Sequence, residues 1–167
     1  MRRVLAPLVL IAAWHAPVQA RDSLGIFERW GAFRDPAIPR CYAISEPVRR
    51  SARPNDTQHW RGFMSIGTWP KQGIRGQIHF RLSRAISPGG AVNVSVGDRR
   101  FALVAGAADA WAADRRMDAA IAAAIRASTS LSVEGRASGS GAFADVYALR
   151  GAATAMDAAA LGCARIR

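Results

Sequence analysis

Apolar and polar residues alternate most regularly between positions 76 and 83. Ile78, Phe80 and Leu82 are each separated by one polar residue. A period of two residues places the apolar side chains on one face of a β-strand and the polar ones on the other. The pattern therefore predicts a strand with one buried face and one exposed face. Segments of β-forming residues at 41–45, 63–68, 131–133 and 143–150 predict further strands.

A β-hairpin is predicted just after this strand. Val92, Val94 and Val96 continue the two-residue period, and Gly97-Asp98 separates them from a second apolar run at 99–104. Glycine at the first position of a two-residue turn accepts the positive φ that the turn requires. We therefore expect two antiparallel strands joined at Gly97.

The period lengthens between positions 114 and 127. Met117, Ile121 and Ile125 lie four positions apart and form one apolar stripe on a helix. Asp114 near the start of this segment and Arg126 near its end suit the helix dipole. The pattern predicts one helix inserted among the strands.

A second, short helix is predicted near the carboxyl terminus. Thr154 and Asp157 have the spacing of a capping box. Gly162 is a residue type that ends helices, and it stands just before Cys163. We expect the helix to stop there and to present the Cys163 thiol at a fixed position.

Three stretches lack a clear period. Residues 21–39 mix aromatic residues with charges and prolines, which indicates an irregular lead-in. Residues 49–59 are polar and predict a loop, and residues 135–141 are rich in glycine and serine and predict a turn. Asp145 interrupts the apolar side of the following strand, so we expect a β-bulge or an edge position there.

The predicted elements occur in the order strands, one helix, strands and a short helix. This order predicts a mostly β protein. We expect a single antiparallel β-sandwich-like domain with one inserted helix and a short C-terminal helix, formed by residues 21–167. A chain of this length is sufficient for one buried core.

The first 20 residues have the features of a secretory signal peptide. Arg2 and Arg3 precede an apolar run at 4–14, and residues 18–20 (VQA) supply the small side chains that a signal peptidase requires. A buried N-terminal helix is the alternative, which the lack of polar positions in the run disfavours. Because the run is too short to span a bilayer and ends in this motif, we expect cleavage after Ala20. No later segment is apolar for long enough to span a bilayer, so we expect a periplasmic or secreted protein.

The chain has two cysteines, Cys41 and Cys163, and both lie after the predicted signal peptide. In an oxidising compartment an even number of cysteines favours a disulfide bond, which here would join the two ends of the domain. The alternative is a pair of free, buried thiols.

The formal net charge is +11, and all of the lysine and arginine residues except Lys71 are arginines. One interpretation is binding to an anionic partner such as an envelope component. The other is a solvated basic surface without a binding role. The arginines occur as scattered pairs without interleaved aromatic residues, which favours the second interpretation and argues against nucleic-acid binding.

Candidate catalytic residues form only a weak pattern. Asp56 and His59 have the chemistry of an acid and base pair, but they lie in the predicted polar loop, and the Gly-x-Ser-x-Gly motif of many hydrolases is absent. His79 falls on the polar face of its strand, where an ordinary exposed histidine is expected. Histidines and cysteines do not have the spacing of metal ligands. We therefore expect no catalytic centre, metal or cofactor.

The tryptophans of the predicted domain are candidates for a ligand groove, although tryptophan in a small β domain more often belongs to the core or its rim. We favour the core interpretation. Asp114 and Asp118 are close together on the predicted helix, where we expect exposed carboxylates rather than a catalytic pair. The tryptophans concerned are Trp30, Trp60, Trp69 and Trp111.

The order of features along the chain has a counterpart among known secreted proteins. A tryptophan followed by a cysteine occurs in WGAFRDPAIPRCYAIS, and later segments are VNVSVGDRRFALV, DRRMDAAIAAAIRASTSLSVEG and FADVYALRGAATAMDAAA. These segments resemble the invasion-associated locus B family of alphaproteobacteria. The resemblance implies a β-sandwich-like secreted domain without known catalysis, linked in some pathogens to host-cell entry. The family's further cysteines have no counterparts at 34–36 or 105–113, so its disulfide scheme is not transferred.

These observations predict an exported, non-catalytic protein of the invasion-associated locus B type. We expect it to act by surface interaction with an anionic envelope component or another protein, without nucleic acid and without a membrane span. A periplasmic hydrolase that uses His59 and Asp56 is the alternative hypothesis.

Overall fold

The structure is a computed structural model and describes residues 21–50, 60–139 and 141–164. These residues form eleven strands, two α-helices and a short 3₁₀ helix (Pro70–Gln72). The α-helices are α1 (Arg115–Arg126) and α2 (Ala152–Cys163), and neither has the length and apolar composition needed to cross a bilayer. The strands are β1 (Asp22–Phe27), β2 (Trp30–Asp35), β3 (Arg40–Ser45), β4 (Arg49–Arg50), β5 (Phe63–Trp69), β6 (Ile74–Arg81), β7 (Val92–Val96), β8 (Arg99–Ala105), β9 (Asp109–Trp111), β10 (Ser130–Ala137) and β11 (Gly141–Ala148).

The strands pair in one continuous antiparallel order, β1-β2-β3-β5-β6-β9-β8-β7-β10-β11-β4. We call β1, β2, β3, β5, β6 and β9 the front half of the sheet and the remaining strands the back half. The halves are in contact: Trp30 Nε1 donates a hydrogen bond of 2.9 Å to the Ala148 carbonyl, and the rings of Phe80 and Tyr147 meet edge to face at 6.1 Å. The predicted class, a mostly β antiparallel domain with a short C-terminal helix, is confirmed.

The elements with the clearest sequence patterns form as predicted. β7 and β8 make the expected hairpin, and Gly97 has a φ of 59°. Asp114 is the N-cap of α1, and its side chain accepts a hydrogen bond of 2.8 Å from the Met117 amide. A cap of this kind satisfies a backbone donor that the first turn of a helix leaves free.

Residues 22–35 form a hairpin, so the prediction of an irregular lead-in was wrong. The register shifts between Ser23 and Gly25, and this bulge removes the two-residue period from β1. In β2 the consecutive residues 30–32 are all buried, so no alternation marks the strand. The turn uses Glu28 with a φ of 57°, where sequence patterns lead one to expect glycine or asparagine.

The predicted capping box at Thr154 and Asp157 is also wrong. α2 begins after Gly151, which has a left-handed φ of 85° and serves as its N-cap, so Thr154 lies within the helix. Asp157 instead binds Arg126 at the end of α1, with an N to O distance of 2.6 Å. Gly162 lies inside α2 rather than beyond its end. A side chain at this position would collide with Leu24 of β1.

The last two strands also differ in detail from the predictions. β10 continues to Ala137, so the predicted turn at 135–141 begins later than expected. Asp145 pairs directly with Val133 without a shift in register, which excludes a bulge at that position. The neighbour of β11 on its other side is β4, which has only two residues. β4 forms a strand at the start of the segment 49–59 that was predicted to be a loop.

Asp118 is buried, contrary to the expectation of an exposed carboxylate. Its Oδ1 atom accepts a hydrogen bond of 2.8 Å from the Ile78 amide of β6. β9 pairs with β6 only from His79 to Arg81, so the carboxylate satisfies the amide just beyond the end of this pairing. Burial raises the pKa of Asp118 above its ordinary value, and the hydrogen bond from Ile78 opposes that shift.

Cys41 and Cys163 form a disulfide bond with a Cα to Cα distance of 5.7 Å, so the predicted pairing is confirmed. The bond ties β3 to the end of α2, which packs against β1, β2, β3 and β5. Trp30, Ala32 and Ala43 lie on the same side of these strands and are fully buried. We call this side of the front half the inner face.

Candidate binding face

The other side of the front half carries a layer of half-buried aromatic and polar side chains. The register aligns Ile44, Ser65, His79 and Trp111 in one row across β3, β5, β6 and β9. Strand alternation directs these side chains away from the buried Ile66 and Ile78 of the inner face. We call this side the outer face; its members are Phe33, Ile44, Phe63, Ser65, Trp69, His79, Arg81, Asp109 and Trp111.

Two aromatic side chains of the outer face lie across glycines of their own strands. A Cβ atom placed on Gly31 would be 2.5 Å from Cε2 of Phe33, and one placed on Gly67 would be 2.5 Å from Cη2 of Trp69. The glycines thus allow both rings to lie close to the backbone of the sheet.

A hydrogen-bonded cluster occupies the centre of the outer face. His79 Nε2 lies 2.8 Å from Asp109 Oδ1, and Arg81 donates a bond of 2.6 Å to Asp109 Oδ2. Ser65 Oγ lies 3.4 Å from the other ring nitrogen, His79 Nδ1. Because an ionised carboxylate is only an acceptor, Nε2 carries the proton in its contact with Asp109. The Asp109 carboxylate therefore fixes both the imidazole and the guanidinium.

Aromatic rings hold the polar cluster from the sides. The His79 ring stacks on Trp111, with centroids 5.3 Å apart and planes 26° from parallel. Phe63 meets the same ring edge to face at 5.7 Å. On the far side, the Arg81 guanidinium lies 5.2 Å from the centre of the Trp60 ring. His79 and Arg81 are therefore each restrained by both a hydrogen bond and a ring contact.

An apolar hollow of about 300 Å³ lies next to the cluster, between the β1–β2 hairpin and β5. Ile26, Phe33, Ile44 and Phe63 line it, and Phe63 also belongs to the environment of His79. Ile26 is 66% exposed, which is unusual for a large aliphatic side chain beside other apolar residues. The hollow and the cluster thus form one continuous surface.

Ser65, His79 and Asp109 contact one another in the order of a hydrolytic triad, but their surroundings are unsuited to acyl transfer. Such chemistry needs free N–H donors beside the serine to stabilise an oxyanion. β5 pairs with β3 on one side and β6 on the other, so its amides are used in the sheet. Asp109 also shares its charge with Arg81, which weakens its effect on the imidazole. The arrangement is better suited to holding a ligand.

The residues proposed from sequence have different outcomes. Asp56 and His59 lie outside the described residues. Trp30 is core, as favoured, whereas Trp60, Trp69 and Trp111 are half-buried at the outer face. In the part of the chain that the structure describes, no three histidine, cysteine or acidic residues come together as a metal site.

The sequence interpretation missed the partners of His79. Ser65 faces it across the β5–β6 pairing, and this contact was open to prediction once the two segments were treated as neighbouring strands. Asp109 lies on a three-residue strand after an irregular segment, and no local pattern marks it. Its position becomes clear only from the pairing of β9 with β6.

Comparison with known protein families, curated proteins and solved structures finds no match to this chain. The resemblance to the invasion-associated locus B family therefore stays a prediction. The side chains of the outer face and the disulfide bond are the features of the molecule that bear on its function.

Proposed function

We propose that this protein is exported and acts without catalysis, by binding an envelope component or another protein through the outer face. The observation that carries the proposal is the continuous surface formed by the apolar hollow and the His79 cluster. Its rings and polar groups are held in place before any ligand arrives, so binding costs little side-chain entropy. Ligand sites typically combine such apolar area with a few fixed polar groups.

The disulfide bond supports the exported location. Bonds of this kind persist in oxidising compartments and are rare where thiols are kept reduced. The Cys41–Cys163 bond therefore supports the predicted export. The resemblance to a family of small secreted proteins points in the same direction.

A binding assay with matched variants tests the proposal. Trp111→Ala removes the ring that stacks on His79, and we expect it to abolish retention of the protein on isolated envelope material. Phe101→Ala is the control, because Phe101 is also a half-buried aromatic residue with an arginine over its ring, Arg99 at 4.8 Å, but it lies on β8. Equal retention of both variants and the wild type would contradict the proposal.

A hydrolase is the second candidate, favoured by the order of contacts Ser65–His79–Asp109. It predicts turnover of an activated ester that disappears in Ser65→Ala. The binding proposal predicts that Ser65→Ala leaves any slow background hydrolysis unchanged. The same variant therefore separates the two functions.

A further inference from the structure

We infer that the ligand of the outer face is an uncharged glycan, bound against the side of the Trp111 ring that faces away from His79 and by hydrogen bonds to the His79 and Asp109 cluster; this inference rests on the proposed function. A sugar ring has an apolar face of C–H groups and a rim of hydroxyl groups. A site for it needs flat aromatic surface next to fixed planar donors and acceptors. The outer face holds the Trp111 and Phe63 rings beside the hydrogen-bonded groups of His79, Arg81 and Asp109.

The polar groups are placed to serve hydroxyl groups. Each oxygen of Asp109 already holds one donor, Oδ1 with His79 and Oδ2 with Arg81, and each retains further acceptor capacity. The Asp109 side chain is 26% exposed and that of Arg81 is 38% exposed, so both are accessible to a ligand. Hydrogen bonds that involve charged groups are stronger than neutral ones.

The charges of the cluster favour an uncharged ligand. Arg81 and Asp109 form an ion pair, so their charges cancel at the centre of the face. An anionic polymer would have to compete with Asp109 for the guanidinium, and a cationic one would meet Arg81. Three charged residues also line the neighbouring hollow: Glu28, which pairs with Arg150, Glu46, which pairs with Arg61, and Arg29.

The backbone of the outer face argues against an extended peptide as the ligand. Peptides that add a strand need the free N–H and C=O groups of a sheet edge. The row of Ile44, Ser65 and His79 lies on β3, β5 and β6, each of which pairs on both sides. Recognition must therefore come from side chains. The row from β3 to β9 spans about 14 Å at the usual strand spacing, which accommodates a short oligosaccharide.

Calorimetric titration of the purified protein with uncharged tetramers of hexose and of N-acetylhexosamine tests the inference. We expect at least one tetramer to bind, with nearly equal affinity at about 0.1 M and 1 M salt, because no net charge is neutralised. Trp111→Ala and Asp109→Asn should each weaken binding about tenfold or more, and Phe101→Ala should not. Unchanged melting temperatures of the variants show that folding is intact.

Other outcomes overturn the inference in distinguishable ways. Retention on envelope material that depends on Trp111 but is not competed by any uncharged tetramer would overturn the glycan and leave the proposed function standing. Binding that is lost at high salt and is unaffected by Trp111→Ala would assign an anionic polymer to another surface. If no tetramer binds and the protein is not retained on envelope material, both the glycan and the proposed function are ruled out.

Discussion

Asp145 is a fully buried carboxyl group in a core that is otherwise mostly apolar. Ser83 satisfies it from the opposite half of the sheet: the Ser83 amide donates to Oδ2 at 3.1 Å and the hydroxyl donates to Oδ1 at 2.8 Å. A buried charge without such partners is strongly unfavourable. The pair therefore links the end of β6 to β11 and explains why an aspartate is tolerated on that face.

Ser83→Ala should destabilise the protein by about 1–3 kcal/mol, because it leaves one carboxylate oxygen buried without its donor. Chemical denaturation measures the change in the free energy of unfolding. Ser138→Ala is the control, since Ser138 is an exposed turn residue. If both serine variants lost the same small free energy of unfolding, the buried pair of Ser83 and Asp145 would not stabilise the protein as described.

The pKa of Asp145 is raised above its ordinary value, chiefly because burial penalises the charged form; the hydrogen bonds from Ser83 and the nearby charges of Arg84 and Arg50 oppose the shift. At a pH well below the ordinary value of 3.8 the group is protonated in both the folded and the unfolded chain and has no effect on stability. As the pH rises above that value, the unfolded chain loses the proton more readily, so the free energy of unfolding falls.

Asp145→Asn removes this titration. The variant should therefore gain in stability relative to the wild type as the pH rises from about 4 to 7, whatever the cost of the substitution itself. Unfolding measured across that range gives the difference at each pH. Parallel profiles for the two proteins would show that Asp145 titrates alike in the folded and unfolded chain.

At the scale of elements, the start of α2 depends on a single glycine. Gly151 has a φ of 85°, and a Cβ atom there would collide with the carbonyl oxygen of Phe27 in β1. Gly151→Ala should therefore lower the melting temperature more than Gly139→Ala does. Gly139 is a matched control, because its φ of 77° carries the same backbone strain but no atom lies within 4 Å of the added methyl. Equal losses would mean that β1 moves away from α2 without cost.

Elements with a regular period could be predicted from the sequence, and those shaped by their neighbours could not. The alternation at 76–83 and the stripe at 114–127 each arise because a single face of the element packs against the core. The β1–β2 hairpin has no such pattern, because it contains a bulge and a strand buried on both faces. The His79 cluster was missed for a related reason, since Ser65 and Asp109 join it only through strand pairing.

At the scale of the whole molecule, the disulfide bond joins residues 122 positions apart. Cys163→Ser should lower the free energy of unfolding by roughly 2–5 kcal/mol, because the unfolded chain regains the freedom of a long loop. The β-type circular dichroism spectrum should be unchanged below the melting transition. Denaturant titrations of the oxidised protein, of the reduced protein and of the variant measure the effect. A reduced wild type as stable as the oxidised form would contradict it.

The position of α2 determines the order in which the molecule can be completed. The β1–β2 hairpin and β3 bury Trp30, Ala32 and Ala43 on the side where α2 packs, yet α2 follows them by more than a hundred positions. A chain that emerges amino terminus first, from a ribosome or a translocation pore, therefore exposes these apolar residues until its last helix has appeared. Such delayed closure favours aggregation during that interval.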